Sequence, residues 1–202
     1  ALLPGAAGQD GYYLTAALAA AGVEVHGLVR ALPSDPDALA PGLVAHVGDL
    51  TDAARMRELL DEVAPDLVVN LAAISSVGRS WADPVATANV NGTAVAALLE
   101  ACLSVHAAGR EIRFVQASSG EIFSGSAVSP QNEDTPIRTT SPYGASKAFA
   151  HLLVGVARGR GLFASNAILY GHESPRRPLH FLARKVSAGV AAIAHGEQEV
   201  LR

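Results

Sequence analysis

Gly5-Ala6-Ala7-Gly8-Gln9-Asp10-Gly11 decides how this chain folds. Its glycines recur every third residue, after the apolar run at residues 1–3 and before an alanine-rich stretch, residues 9–21, that Gly22 closes. Strand, glycine turn and helix in that order make a phosphate loop. One glycine permits the tight turn, one lets backbone N–H groups approach a pyrophosphate, and one lets helix and strand pack closely. The helix N-terminus adds a partial positive charge. The bland alternative is an ordinary glycine-rich turn, and the flanking strand and helix favour the phosphate loop. Pro4 has no N–H to give a sheet, so it is expected just past the last sheet bond.

Outward from this loop, short β-branched runs alternate with longer Ala/Leu-rich segments. Strands are expected at residues 23–29, 44–47, 67–71, 112–116 and 163–169. Helices are expected at 52–63, capped by Thr51, and over most of 83–106. Two more follow at 141–156, with Ser141 as cap and Pro142 at the first helical position, and at 179–192. The wholly apolar run 67–71 suits a sheet covered on both faces. The fold class is therefore α/β, a Rossmann doubly wound parallel sheet with helices on both faces. Residues 31–42 read as a surface loop, and 124–140 as a second long loop of the kind that often carries function.

Half of the 202 residues are hydrophobic, enough for one large core or one core plus part of a second. Charged residues make up 17% and the net charge is −4. With no run of Lys or Arg, neither a nucleic acid nor a membrane surface is an expected partner. The single cysteine, Cys102, rules out an internal disulfide and points to a cytoplasmic protein. No apolar stretch is read as reaching the roughly 18 residues that span a bilayer; the longest, 94–105, is interrupted by Glu100 and Ser104. The start lacks the basic-then-apolar layout of a signal peptide. It begins at Ala1 rather than Met, so trimmed ends are expected. Cys102 and His106 lie one helical turn apart, but two ligands do not close a zinc site. The histidines at 26, 46, 151, 172, 180 and 195 show no partnering spacing, so no metal is expected. Trp81 reads as a loop residue buried against the sheet.

Several candidate site residues fall at strand C-termini, where such sheets bind ligands. Arg30 ends the second strand. An acidic residue there would accept from a ribose 2′-hydroxyl, whereas a cation suits a 2′-phosphate and hence NADP; the alternative is a solvated surface arginine. Asp49 and Leu50 follow the third strand, where they would meet the adenine. Leu71, Ala72 and Ala73 follow the fourth, where small residues let a cofactor lie close to backbone. Tyr143 and Lys147 lie four apart and project from one helix face. A lysine cation beside the phenol would favour the phenolate. Ser118, Ser119, Gly120 and Glu121 bring a hydroxyl and a carboxylate to the same edge; the bland reading is a Ser/Gly turn with a solvated charge.

Together these motifs resemble the extended short-chain dehydrogenase/reductase family, and within it the GDP-mannose 4,6-dehydratases. The resemblance rests on Pro4 to Gly11, on Glu24-Val25-His26-Gly27 with Arg30, and on Gly48-Asp49-Leu50-Thr51-Asp52. It continues through Gln116-Ala117-Ser118-Ser119-Gly120-Glu121, Ser141-Pro142-Tyr143 and His172-Glu173-Ser174-Pro175-Arg176-Arg177.

The resemblance implies roles. Tyr143 is similar to the base that takes the sugar 4-hydroxyl proton. Lys147 resembles the residue that orients the nicotinamide ribose. Ser119 matches a hydroxyl that holds the 4-oxygen, and Glu121 the acid/base for elimination across carbons 5 and 6. Gly5, Gly8, Gln9, Asp10 and Gly11, with Ser75, His172 and Arg177, match cofactor contacts. The implied partners are NADP, a nucleotide-sugar substrate, GDP-mannose above all, and further copies of the chain in a dimer or tetramer. Residues 1–170 are read as the NADP-binding domain. Residues 171–202 are read as the beginning of a substrate-binding lobe that continues past Arg202 in the family.

Three departures stand out. Gly171 replaces an Asn, Ala86 a Tyr, and Ala31-Leu32 a basic, Ser-rich stretch. The alternatives are a nucleotide-sugar epimerase or 4-ketoreductase, for which Glu121 is unnecessary, and a cofactor-binding protein without turnover.

Overall fold

The computed structural model describes residues 1–201. The chain divides into two compact units, Ala1–Tyr170 and Gly171–Arg202. The first is built on six parallel strands: β1 (Leu2–Pro4), β2 (Val25–Val29), β3 (Leu43–Val47), β4 (Leu67–Asn70), β5 (Arg113–Ser119) and β6 (Phe163–Leu169). Their order in the sheet is β3-β2-β1-β4-β5-β6. Winding reverses between β1 and β4, which opens a crevice at the strands' carboxyl ends. This is the Rossmann sheet that the alternating pattern requires.

Six helices accompany the sheet: α1 (Gln9–Ala20), α2 (Ala53–Val63), α3 (Val77–Ala82), α4 (Pro84–Ala88), α5 (Ala94–Ala107) and α6 (Pro142–Gly159). The period of two in β1 sorts the core. Leu2 belongs to one apolar cluster, with Leu59 and Leu60 of α2, Leu98 of α5 and Val154 of α6. Its neighbour Leu3 belongs to another, with Val25, Val69 and the α1 residues Leu14 and Leu18. Each fully buried leucine contributes about 1.5–3 kcal/mol of apolar burial. Cys102 is inert in this core, its thiol pushed up to about 12 by burial.

Several local expectations change. Pro4 lies inside β1, paired with Leu28. The sheet asks only for its carbonyl, which accepts from Leu71 N–H at 2.9 Å, while Gly5 N–H reaches Leu28 O. β2 begins at Val25 rather than 23, because Val23 N–H closes the end of α1 on Leu18 O. Asp52, not Thr51, caps α2 by accepting from Arg55 N–H. The helical run around residues 83–106 starts earlier and is broken. Ser76 caps α3, Asp83 caps α4 with Pro84 at its first turn, and a π-helical turn, Asn89–Thr93, joins α4 to α5. Trp81 is therefore helical, and it is 64% exposed rather than packed on the sheet.

The same run corrects the hydropathy reading. Pro84–Ala107 is 24 residues long with mean hydropathy 1.3, which is long and apolar enough to cross a membrane; half of its most apolar stretch is buried. Val95, Leu98, Leu99 and Cys102 of α5 lie in the main core cluster. In the second unit, α7 spans Leu182–Ala194. It starts after 179 because Phe181 N–H turns back onto Pro178 O.

Candidate active site

The phosphate loop is a backbone construction. Gly5 takes φ +88°, and a Cβ there would stand 2.6 Å from Ala72 N. The first loop is thus pressed against the start of the Leu71-Ala72-Ala73 segment. A Cβ at Gly11 would stand 2.4 Å from Gly5 O, and Gly8 N–H donates to that same oxygen at 3.0 Å. Gly8 caps α1 without a side-chain hydrogen bond, so the cap residue itself offers only backbone. Glycines that no Cβ could replace, at a helix N-terminus, fit a dinucleotide pyrophosphate. Gly27 of β2 belongs to the same packing: a Cβ there would meet Ala6 Cβ at 2.5 Å.

At the β2–β3 side, Arg30 is exposed and its charge helps hold Asp49 ionised. The larger causes are the Thr51 N–H and hydroxyl, which donate to Asp49 Oδ1 at 2.8 and 2.7 Å and keep its carboxyl below the usual range. Leu50 is a core residue, 5% exposed in the cluster with Leu28 and Met56. Its side chain packs under α2 with Leu59 and Leu60. Ser75 is exposed.

The other side is held by side chains. Asn70 Nδ2 donates to Gln116 Oε1 at 2.9 Å, and Gln116 Nε2 to Ala117 O at 3.0 Å. Lys147 Nζ donates to that carbonyl at 2.9 Å, so a buried polar line joins β4, β5 and α6. Burial lowers the Lys147 pKa to about 8, opposed by the charge of Asp10. Asp10 of the glycine loop thus acts on Lys147 across the site. Ser119 Oγ accepts from Glu121 N–H at 3.2 Å and caps the 3-10 turn Gly120–Phe123, which holds half-buried Glu121.

Tyr143 departs from expectation. Its pKa is raised, first by burial and further by the Glu121 charge, with the Ser119 hydroxyl opposing as a hydrogen-bond partner. Lys147 is not among the causes. Its ammonium sits 5.9 Å from the Tyr143 ring centroid and is engaged by Ala117 O. In this arrangement desolvation of the phenol outweighs any pull from the lysine.

The family model for GDP-mannose 4,6 dehydratase matches residues 2–202. The chain belongs to the GDP-mannose 4,6-dehydratase family. It is 43% identical to GDP-mannose 4,6 dehydratase 2 of Arabidopsis thaliana over the whole chain and 57% of that protein. It is 39% identical to GDP-mannose 4,6 dehydratase of Homo sapiens, over 98% of the chain and 57% of that protein. The chain thus spans rather more than half the length of these curated relatives. Among solved structures, the NAD-bound dTDP-glucose 4,6-dehydratase of Streptomyces venezuelae superposes with a TM-score of 0.79 at 26% identity, over 96% of the chain and 62% of that one. The NAD complex of Thermus thermophilus UDP-glucose 4-epimerase gives 0.77 at 30%, over 96% and 62%.

For a member of this family, the sequence reading missed the residues that seat Tyr143. Ser80 Oγ accepts from Tyr143 N–H at 3.1 Å, and Ser146 Oγ donates to Tyr143 O at 2.7 Å. Behind Ser146 stands Asn91, 1% exposed in the π-helical turn. Its Nδ2 donates to Ser146 Oγ and to Ile74 O, and its Oδ1 accepts from Ile74 N–H at 2.8 Å. Asn91 therefore ties the segment after β4 to the helix of Tyr143. A π-turn so placed was the one available signal, and it is not legible in sequence.

His172 and Arg177 lie in the second unit. The Arg177 guanidinium donates to Glu173 at 2.8 Å and to the His172 carbonyl, and stands 4.7 Å from the Phe181 ring centroid. Two histidine pairings also went unforeseen: His26 Nδ1 meets His46 Nε2 at 2.9 Å, and Ser118 Oγ meets His151 Nδ1 at 2.9 Å. Among the described residues no three His, Cys, Asp or Glu side chains are grouped to hold a metal ion.

Proposed function

We propose that the protein dehydrates GDP-mannose to GDP-4-keto-6-deoxymannose, using NADP held by residues 1–170, with residues 171–202 opening a substrate lobe. The observation that carries this reading is the convergence of Ser119, Glu121, Tyr143 and Lys147 at the ends of β5 and α6. A bound nicotinamide supplies the hydride acceptor at carbon 4 and the donor that later reduces carbon 6. Tyr143 takes the proton of the sugar 4-hydroxyl while Ser119 holds that oxygen. Oxidation there acidifies the carbon 5 proton. Glu121 removes it and returns a proton to the departing carbon 6 hydroxyl, and the proton that Tyr143 took would restore carbon 5 as carbon 6 is reduced. Lys147 holds the ribose. Glu121 favours elimination over epimerisation, which moves hydride at carbon 4 alone and has no use for a carboxylate.

Arg30 supports NADP over NAD, because a charge-assisted pair to a 2′-phosphate contributes about 1.5–3 kcal/mol. Gly5, Gly8, Gln9, Asp10, Gly11, Asp49, Leu50, Leu71, Ala72 and Ala73 would line the dinucleotide, as would Ser75, His172 and Arg177 by family likeness. The remaining parts of the reading are a cytoplasmic location and a homo-oligomeric assembly.

The test incubates the full-length protein separately with GDP-mannose, dTDP-glucose and UDP-N-acetylglucosamine, and follows loss of one water by mass spectrometry. Only GDP-mannose should lose it, and Glu121→Gln should stall there with reduced nicotinamide accumulating. Dehydration of a competitor alone changes the substrate but keeps the reaction class. No dehydration of any overturns the reading. Arg30→Asp should reverse the cofactor preference by fluorescence titration.

A further inference from the structure

Tyr170 is the first residue after β6, in register beside Gly120 because Ser119 pairs with Leu169. Its ring lies so close over Gly120 that a Cβ there would stand 2.8 Å from ring atoms Cδ1 and Cε1. The ring is fastened at its far end. The phenol donates to Gln131 Oε1 at 2.8 Å, and Gln131 Nε2 reaches Phe123 O at 3.3 Å. Gly120 and Phe123 are the first and last residues of the turn that carries Glu121. Tyr170 and Gln131 therefore brace that turn from end to end, with Tyr170 53% exposed at the carboxyl edge of the sheet, where such folds hold ligands.

We infer that Tyr170 forms a wall of the hexose subsite, stacking on the apolar face of the sugar, and that Gly120 is the residue that lets the ring stand there. This rests on the reading of the protein as a nucleotide-sugar enzyme. An aromatic face fixed at its hydroxyl offers large contact area with little ordering left to do. Gly120 is specific to the arrangement. Any side chain at that position displaces the ring from beside Ser119 and Glu121, so residues 120 and 170 together set the width of the site.

A double-mutant cycle in the full-length, NADP-loaded protein tests this. GDP-mannose affinity is measured by calorimetry, and KM and kcat by dehydration. Tyr170→Ala raises Kd and KM roughly tenfold with a much smaller change in kcat, because ring contact holds ground and transition states alike. Gly120→Ala weakens the sugar in the same way. The Gly120→Ala/Tyr170→Ala protein is no weaker than Tyr170→Ala, since the new methyl no longer meets a ring. Tyr170→Phe, which keeps the ring but not the Gln131 anchor, recovers most of the loss. Parental Kd and KM in Tyr170→Ala, weakening of NADP instead of sugar, or additive losses in the double variant each overturn the inference. A parent that binds sugar nucleotide without dehydrating it sinks the dehydratase reading, while the Kd cycle still decides Tyr170. A parent that binds no sugar nucleotide overturns both.

Discussion

The two halves of the sheet's carboxyl edge are built from different materials. At β1 and α1 the site is backbone: Gly5, Gly8 and Gly11 contribute by lacking side chains, and their neighbours Ala6 and Ala72 are small. At β5 and α6 it is side chains: Asn70, Gln116 and Lys147 meet in one set of buried hydrogen bonds, and Asn91 and Ser146 seat Tyr143 in another. A backbone site fails by steric exclusion when one atom is added. A side-chain site fails by desolvation when one partner is removed, because the atoms left behind are buried and unpaired.

The largest effect is expected in the backbone half. Gly5→Ala must place a Cβ 2.6 Å from Ala72 N while holding φ +88°. Strain at that backbone angle and overpacking together cost about 4 kcal/mol. Urea unfolding reads the loss directly, and nicotinamide fluorescence should show cofactor binding gone. A Gly5→Ala protein with parental stability would mean that the loop does not press on the segment after β4.

A smaller effect is expected in the side-chain half. Asn91→Ala leaves Ile74 N–H, Ile74 O and Ser146 Oγ short of a partner in a buried setting. About 2 kcal/mol of stability should be lost in denaturant unfolding. Turnover should fall more than cofactor affinity, because Tyr143 is seated through Ser146 whereas the proposed pyrophosphate site is the glycine loop. Equal losses in both would erase the distinction between the halves.

The same contrast explains what the sequence made legible. The glycine loop is local, seven residues whose spacing states its geometry, and its strand–turn–helix form read correctly. So did the sheet, because alternating apolar runs report burial on two faces. The seating of Tyr143 joins residues 63 positions apart at Ser80, and Asn91 meets Ser146 across 55. No spacing rule spans such separations. The Tyr143 pKa was misjudged because charge was weighed without the burial that only the folded chain reveals.

The faintest effect lies under the backbone half, where His26 and His46 share one hydrogen bond across β2 and β3. With both rings neutral, one N–H donates and one nitrogen accepts; protonating both leaves two donors facing each other. The pKa of His46 is lowered from 6.5, first by burial and then by the His26 charge, with Arg55 adding to this and Glu62 opposing. Glu24 stands 3.2 Å from His26 Nε2. The folded state therefore binds fewer protons at His46 than the unfolded chain does. The resulting stability is present above the unfolded value and is lost as pH falls through the folded one. Between about pH 7 and about pH 5 the urea midpoint should fall, and His46→Gln, which cannot acquire the charge, should flatten part of that slope. An unchanged slope in His46→Gln would assign acid sensitivity to other groups and leave the His–His contact as packing alone. Because β3 leads into Asp49, NADP affinity should weaken with acid alongside stability, and the same variant should blunt that loss too.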